Sequence, residues 1–308
     1  MLSTTSSTSR VEFDKIFYEI PHDEKLLLAN NNQIKFFMLN IQNSKFSYFE
    51  MFKMLKRNLG RYAISRIEFQ KDPEMAISKA ISRFHEIKNA GNGAGGELGE
   101  LLLYCFLEIV LGAPKLLSKM EIKGTKNQYN YNSDAVHFFQ YDGDDGIHNQ
   151  VVLCESKIIG DYKRAIKKAF DSLCESLSKK GYDFSLISTE IFKETMTEQA
   201  AKEVIDLLVP NVTEDVNNNV IKETAAGIFI GFDYPIEIGD ESIITRNKSI
   251  VKIKSIVKDI VDYINKIIKE KKLNGMSIYI YFLPFNDADK DREKIMDQLL
   301  TNVDYEEK

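Results

Sequence analysis

Apolar positions along the chain fall into two rhythms. In FSYFEMFKMLKRNL (46–59) and PEMAISKAISRFHEIKN (73–89) they recur at steps of three and four residues, which predicts two amphipathic helices. Before them, LLLANNNQIKFFMLNI (26–41) reads as a strand or hairpin. The glycine-rich GNGAGG reads as a joint, and a helix follows from Glu97 to about Val110. Strands are predicted at KMEIKG (119–124), SDAVHFFQY (133–141) and the β-branched NQVVLCESKII (149–159), the last two joined by a DGDDG turn. DYKRAIKKAFDSLCESLSKKG (161–181) places Ala165, Ile166, Ala169, Phe170, Leu173 and Leu177 on one helical stripe. Two more strands, GIFIGFDYPI (227–236) and MSIYIYFLP (276–284), flank a long amphipathic helix at 248–272. The result is a mixed α/β chain with helix, three strands and helix at its centre. The leading MLSTTSSTSR lacks any apolar stretch and predicts a short disordered tail.

Composition narrows the function. With 308 residues, 44% of them hydrophobic, the chain holds one large domain or one domain plus an accessory region. A net charge of -5 excludes a globally cationic binder of nucleic acid or membrane, so any such binding rests on local patches. Cys105, Cys154 and Cys174, with His22, His85, His137 and His148, show no zinc or disulfide spacing, which points to a reducing cytoplasm. No run approaches the roughly 18 apolar residues of a membrane span. Gly91, Gly93 and Gly96 match G-x-G-x-x-G but follow a helix rather than a strand, and no Lys-Ser/Thr follows them, so neither a dinucleotide site nor a P-loop is expected. DGDDG is no calcium loop, since the sixth and twelfth positions from Asp142 are Ile147 and Leu153.

Candidate chemistry sits at two strand ends. Side chains alternate along a strand, so Glu155 and Lys157 project together while Cys154 and Ser156 point the other way into packing. Asp134 heads the neighbouring strand. Two converging carboxylates repel unless a cation lies between them, and a hard, oxygen-seeking ion such as Mg²⁺ answers that need. A lysine beside the ion can orient water and offset the charge of a pentacovalent phosphate. Glu-x-Lys also begins at residues 86, 121, 270 and 306, yet only the one at Glu155 ends a buried-type strand with an acid at the head of the preceding strand. The plainer reading is a strand-end salt bridge of little energetic worth. His137 and His148 each stand alone and read as structural histidines.

This order of a glutamate-bearing helix, a strand, a strand opening with Asp134, a strand closing with Glu155-Ser156-Lys157 and a further helix resembles the PD-(D/E)XK nuclease superfamily. The run GELGELLLY, the SD and CESK strands and the chain length more closely resemble the HamA family, nuclease effectors of the two-gene Hachiman anti-phage system. The resemblance implies a mixed sheet flanked by helices, with residues 91–308 as the nuclease domain and 1–90 as an α/β accessory region that could dock a partner. It implies a DNA nuclease that uses Mg²⁺, with Mn²⁺ as a substitute, held in check by a helicase partner, HamB. The catalytic set it implies is Asp134, Glu155 and Lys157. The ion would be held by Asp134, Glu155, the Ser156 backbone and a helix glutamate. Glycine-then-glutamate spacing favours Glu100, while Glu97 on the same helical face stays open, as does a merely solvated first turn for both. Ser133 stands where the superfamily has proline.

DNA binding requires positive charge in an acidic protein. Residues 157–180 carry seven Lys/Arg against three acids, and 248–272 carry eight lysines against three acids. Lys163, Arg164 and Lys167 are the better phosphate candidates because they directly follow the candidate catalytic strand; the second helix reads as a solvated lysine face. The aromatic-rich stretch with Phe36, Phe37, Phe46, Tyr48, Phe49 and Phe52 is mostly core, with a remainder available for docking. The competing expectation is a catalytically inactive nuclease fold that serves only as a binding subunit. Buried charges at Asp134, Glu155 and Lys157 speak against it.

Overall fold

The computed structural model describes residues 2–28, 31–89, 96–123, 133–178, 196–208, 220–234, 236 and 242–301. The chain opens with α1 (Arg10–Ile16), β1 (Phe17–Ile20), β2 (Gln33–Leu39) and the small hairpin β3 (Ile41–Gln42) and β4 (Lys45–Phe46). Helices α2 (Phe49–Ala63), α3 (Arg66–Lys71), α4 (Ala76–Asn89) and α5 (Glu97–Phe106) follow, the last running into a π-helical turn at Leu107–Leu111. Next come β5 (Lys115–Ser118), α6 (Lys119–Lys123), β6 (Ala135–Gly143), β7 (Gly146–Ile158) and α7 (Tyr162–Ser178). The described chain closes with α8 (Glu198–Leu208), β8 (Val220–Asp233), α9 (Ser242–Glu270), β9 (Ser277–Phe285) and α10 (Ala288–Thr301).

Seven strands form one mixed sheet in the order β1-β2-β9-β8-β7-β6-β5. Its centre is parallel: β2 with β9, β9 with β8, and β8 with β7. Parallel strands need crossovers, and α9 supplies one between β8 and β9. Both faces of such a centre are covered, which explains why every residue of β9 is buried. Antiparallel pairs close both edges, β1 with β2 on one side and β5, β6 and β7 on the other. Asp144 and Asp145 make the tight β6–β7 turn between the paired Gly143 and Gly146, and Gly146 takes φ 141, open to a residue without Cβ. The expected hairpin turn is therefore present, and the expected helix, three strands and helix are found with α6 inserted between the first two strands.

Adjacent residues of β7 identify the layers. Ser156 lies against α5, where a Cβ on Gly99 would meet its Oγ at 2.9 Å, whereas Glu155 meets Ser176 of α7. Neighbouring strand residues face opposite ways, so α5 and α7 cover opposite faces. Phe106 of α5 anchors the first face, with ring centroids 4.9–5.5 Å from Phe13, Phe17, Phe37, Phe229 and Tyr281. Those rings come from both ends of the sequence, and pairs of this kind add about 0.5–1.5 kcal/mol each beyond area burial. Strands β1 and β2 thus share a sheet and a core with the later strands.

Two local expectations are corrected. KMEIKG is not a strand: Lys119–Lys123 is helical, because Ser118 accepts from the Glu121 N–H as a helix cap, and the strand precedes it at Lys115–Ser118. Nor do the first residues form a loose tail. Leu2 is buried, the N–H groups of Thr5 and Ser6 donate to Glu108, and Ser7 N–H donates to Asn58 at 2.9 Å. Serines and threonines that read as a disordered tract act here as backbone anchors, with Ser9 capping α1. In the 26–41 segment the main strand begins at Gln33. The glycine joint at 91–95 lies outside the described residues.

Candidate active site

The site is built where β6 begins. Ala135 pairs with Cys154, and the Asp134 N–H donates to the Cys154 carbonyl at 2.9 Å, so Asp134 stands across from Glu155. Ser133 seals the strand head by accepting the Cys154 N–H at 2.9 Å, with its hydroxyl equally close to the carbonyls of Ala135 and Cys154. Asp134 then turns back onto β7. Its Oδ2 accepts both the Ser156 N–H at 2.9 Å and the Ser156 hydroxyl at 3.0 Å. Ser156 does point away from Glu155 toward α5, yet its hydroxyl belongs to the site rather than to inert packing.

Helix α5 comes close to β7 because Gly99 has no side chain at the contact. That approach buries Glu97 and Glu100. Glu97 accepts the Gly96 N–H at 3.1 Å, a helix-start contact. Glu100 accepts the phenolic hydrogen of Tyr62, from α2, at 2.5 Å. Burial first, and Asp134 second, push the Glu100 carboxyl up to about 8 against the pull of Lys119 and the Tyr62 hydrogen bond. The same burial, with Glu100 alongside, pushes the Tyr62 phenol well above its ordinary range.

Glu155 lies on the other side of Asp134, 2% exposed. Lys157 Nζ approaches one of its oxygens at 3.3 Å and Ser176 Oγ the other at 3.5 Å. Burial, then Asp134, raise its carboxyl to about 8 despite Lys157 and Lys119. Lys119 is the second cation: its Nζ reaches Asp134 Oδ1 at 3.4 Å, and its own N–H donates to the Asp134 carbonyl at 3.0 Å. Burial works against that ammonium, but Glu100, Asp134 and Glu155 together hold it above its ordinary range.

The structure therefore brings Glu100, Asp134, Glu155, Ser156 and Lys157 into one row across the end of the sheet. Each carboxylate is turned to its own donor, and among the described residues no three His, Cys, Asp or Glu groups close around a common point. The row still fits a hard divalent cation in donor chemistry and in charge. Its ligands would all be oxygens, and burial, with Asp134 alongside, already makes negative charge costly at Glu100 and Glu155, a cost that a bound cation would offset.

The other candidates lie apart from the row. Lys163, Arg164 and Lys167 are exposed on α7, where Lys167 pairs with Asp171 at 3.1 Å. His137 is fully buried on the Ala113 carbonyl at 2.8 Å, and burial pushes it down to about 3, as befits a structural histidine. His148 is not alone: it bonds Asp145 at 2.6 Å and stacks on Tyr141. Among the docking aromatics, only Phe49 is exposed, at 39%, and Lys53 Nζ covers its ring at 3.9 Å.

Sequence reasoning missed Lys119 and Tyr62. The spacing Ser118-x-x-Glu121 is a helix-start signature that places Lys119 in a first turn beside the Asp134 strand. Tyr62 carries no such local signal, since its role depends on α2 packing near α5 across 38 residues.

Residues 14–299 match a family model described as HamA. No curated protein matches the chain. Among the described residues, no helix is long and apolar enough to cross a membrane.

Proposed function

Because the chain belongs to the HamA family, we propose that it is the nuclease component of a Hachiman anti-phage defence system, cutting DNA with the aid of Mg²⁺ and restrained by a helicase partner. The observation that carries the reading is the row of buried carboxylates Glu100, Asp134 and Glu155 flanked by Lys157 and Lys119. A scaffold gains nothing from three acids held out of water at one strand end, whereas a phosphodiesterase needs such oxygens.

In this reading Asp134, Glu155 and Glu100 would hold the ion together with the Ser156 backbone. Bound there, it would supply Lewis acidity toward a phosphate oxygen and make water a better nucleophile. Ser156 keeps Asp134 in place through two hydrogen bonds, and Tyr62 holds Glu100 through one. Lys157, 24% exposed and hydrogen-bonded to Glu155, would orient an attacking water and offset the developing phosphate charge. Lys163 and Arg164, exposed at the start of α7, offer phosphate contacts that carry no sequence information, in keeping with nonspecific cutting.

The test is plasmid DNA incubated with the purified chain in Mg²⁺ or in EDTA, with and without the helicase. Cutting that needs Mg²⁺ and falls when the helicase is bound supports the reading; absence of cutting under every condition, phage or damaged DNA included, sinks it. For the partner, substitutions at Phe49 and other exposed positions of residues 1–90 are compared with substitutions along α9 by pull-down. Loss of binding only on α9 would place the restraint outside the N-terminal region.

A further inference from the structure

Lys119 is built as a lever. Its backbone is tied to Asp134 by the N–H to carbonyl bond of 3.0 Å, while its side chain, 32% exposed, reaches Asp134 Oδ1 at a long 3.4 Å. The other oxygen of Asp134 is already engaged twice by Ser156. Among the described residues, the ammonium is the hydrogen-bond partner of Oδ1, the oxygen that a cation would need. A divalent ion and this ammonium repel and compete for one atom. The ammonium in turn binds phosphate oxygens well, and its flexible stem lets it reorient without moving the backbone.

We infer that Lys119 is a latch that occupies the ion-binding oxygen of Asp134 until a nucleic-acid phosphate draws it away, so that metal and DNA load together. The inference rests on the metal-dependent reading above. Ion and DNA then help each other to bind, by equal factors in both directions. The free protein would hold its ion weakly, which limits cutting before a substrate is in place.

Mn²⁺ binding to the full chain is measured by calorimetry with and without a short DNA duplex, in a Lys157→Ala background so that the duplex is not consumed. The latch predicts that the duplex tightens Mn²⁺ binding at least about fivefold, the lower edge of ordinary site-to-site coupling. Lys119→Met should tighten Mn²⁺ binding without DNA by a similar factor and abolish the further gain from DNA. Lys119→Arg, which keeps the charge, should leave free-protein binding weak. Lys119→Gln serves as the neutral variant if the methionine form does not fold. Mn²⁺ binding that Asp134→Asn weakens but neutral Lys119 variants leave unchanged overturns the latch alone. Mn²⁺ binding indifferent to Asp134→Asn and Glu155→Gln overturns the metal-site reading and the latch with it.

Discussion

Tyr62 donates its phenolic hydrogen to Glu100 at 2.5 Å, so a helix from the first quarter of the chain sets a carboxylate on α5. The N-terminal region therefore reaches the candidate site itself. Tyr62→Phe removes this donor and leaves Glu100 buried without it. The expected result is a folded protein with weaker Mn²⁺ binding and slower DNA cleavage, and equal rates for variant and parent would remove Tyr62 from the site.

Glu155→Gln and Lys157→Ala are expected to lower cleavage about a hundredfold or more, the usual loss when a positioned catalytic group is removed. Helicase binding and the thermal midpoint should stay near those of the parent. Wild-type cutting by both variants would move the chemistry elsewhere.

Acid and base act on this protein through Glu100 and Glu155. Both carboxyls rise from 4.5 to about 8 in the fold, mainly through burial and Asp134. A raised carboxyl pKa means that the folded state binds the proton more tightly, so their contribution to stability is full below 4.5 and is lost as pH climbs to about 8. The thermal midpoint of the metal-free chain should therefore fall across that window, and Glu100→Gln should flatten part of the fall. Added Mg²⁺ should raise the midpoint more at the alkaline end than at the acid end. A midpoint flat in pH would show that these carboxyls are solvated.

Gly99 carries the α5 contact. A Cβ there would meet Ser156 Oγ at 2.9 Å and Ser156 Cβ at 3.0 Å, closer than packing allows. Gly99→Ala should cost about 1–3 kcal/mol, as overpacked cores do, and should slow cleavage by moving Glu100 away from Asp134. Pairing it with Ser156→Gly should recover some stability but not activity, because the Asp134 hydroxyl donor is then gone. Denaturant unfolding and plasmid cleavage on the same preparations separate the two effects.

Lys115 is buried, and its ammonium donates to the carbonyls of Arg61, Tyr62 and Ile64 as well as to Glu121. It closes the C-terminal end of α2, where positive charge is favoured. Lys115→Met leaves Glu121 buried without its cation, with only the Ser118 hydroxyl still donating to it, and should cost about 3–5 kcal/mol. The double variant with Glu121→Leu should recover much of that loss in denaturant unfolding; equal instability of both would assign the cost to the carbonyls.

Much of this was legible in the sequence wherever periodicity was long or chemistry local. Strands at 149–159 and 276–284 declared themselves by uninterrupted apolar runs, which a buried parallel sheet demands. Asp134, Glu155 and Lys157 were visible because alternation and a hairpin turn place strand ends together. KMEIKG was misread because five residues of alternating polarity suit a strand, while one serine cap decides for a helix. The N-terminal anchor was hidden because its partners, Asn58 and Glu108, lie far along the chain. Helix α10 and strand β1 escaped because charged or short segments carry little periodic signal.

The place of β9 has a bearing on when the sheet can be completed. Among the described residues, β1 and β2 join the rest of the sheet through β9, at residues 277–285. During synthesis, the early strands have no partner in the sheet beyond each other, and α1, with the Phe13 ring that packs on Phe106, waits with them. Closing such a long loop is slow compared with local structure formation. A chain interrupted before β9 carries Asp134, Glu155 and Lys157 but lacks the strand that ties β1 and β2 to β8, so the sheet stays in two pieces until residues 277–285 have been made.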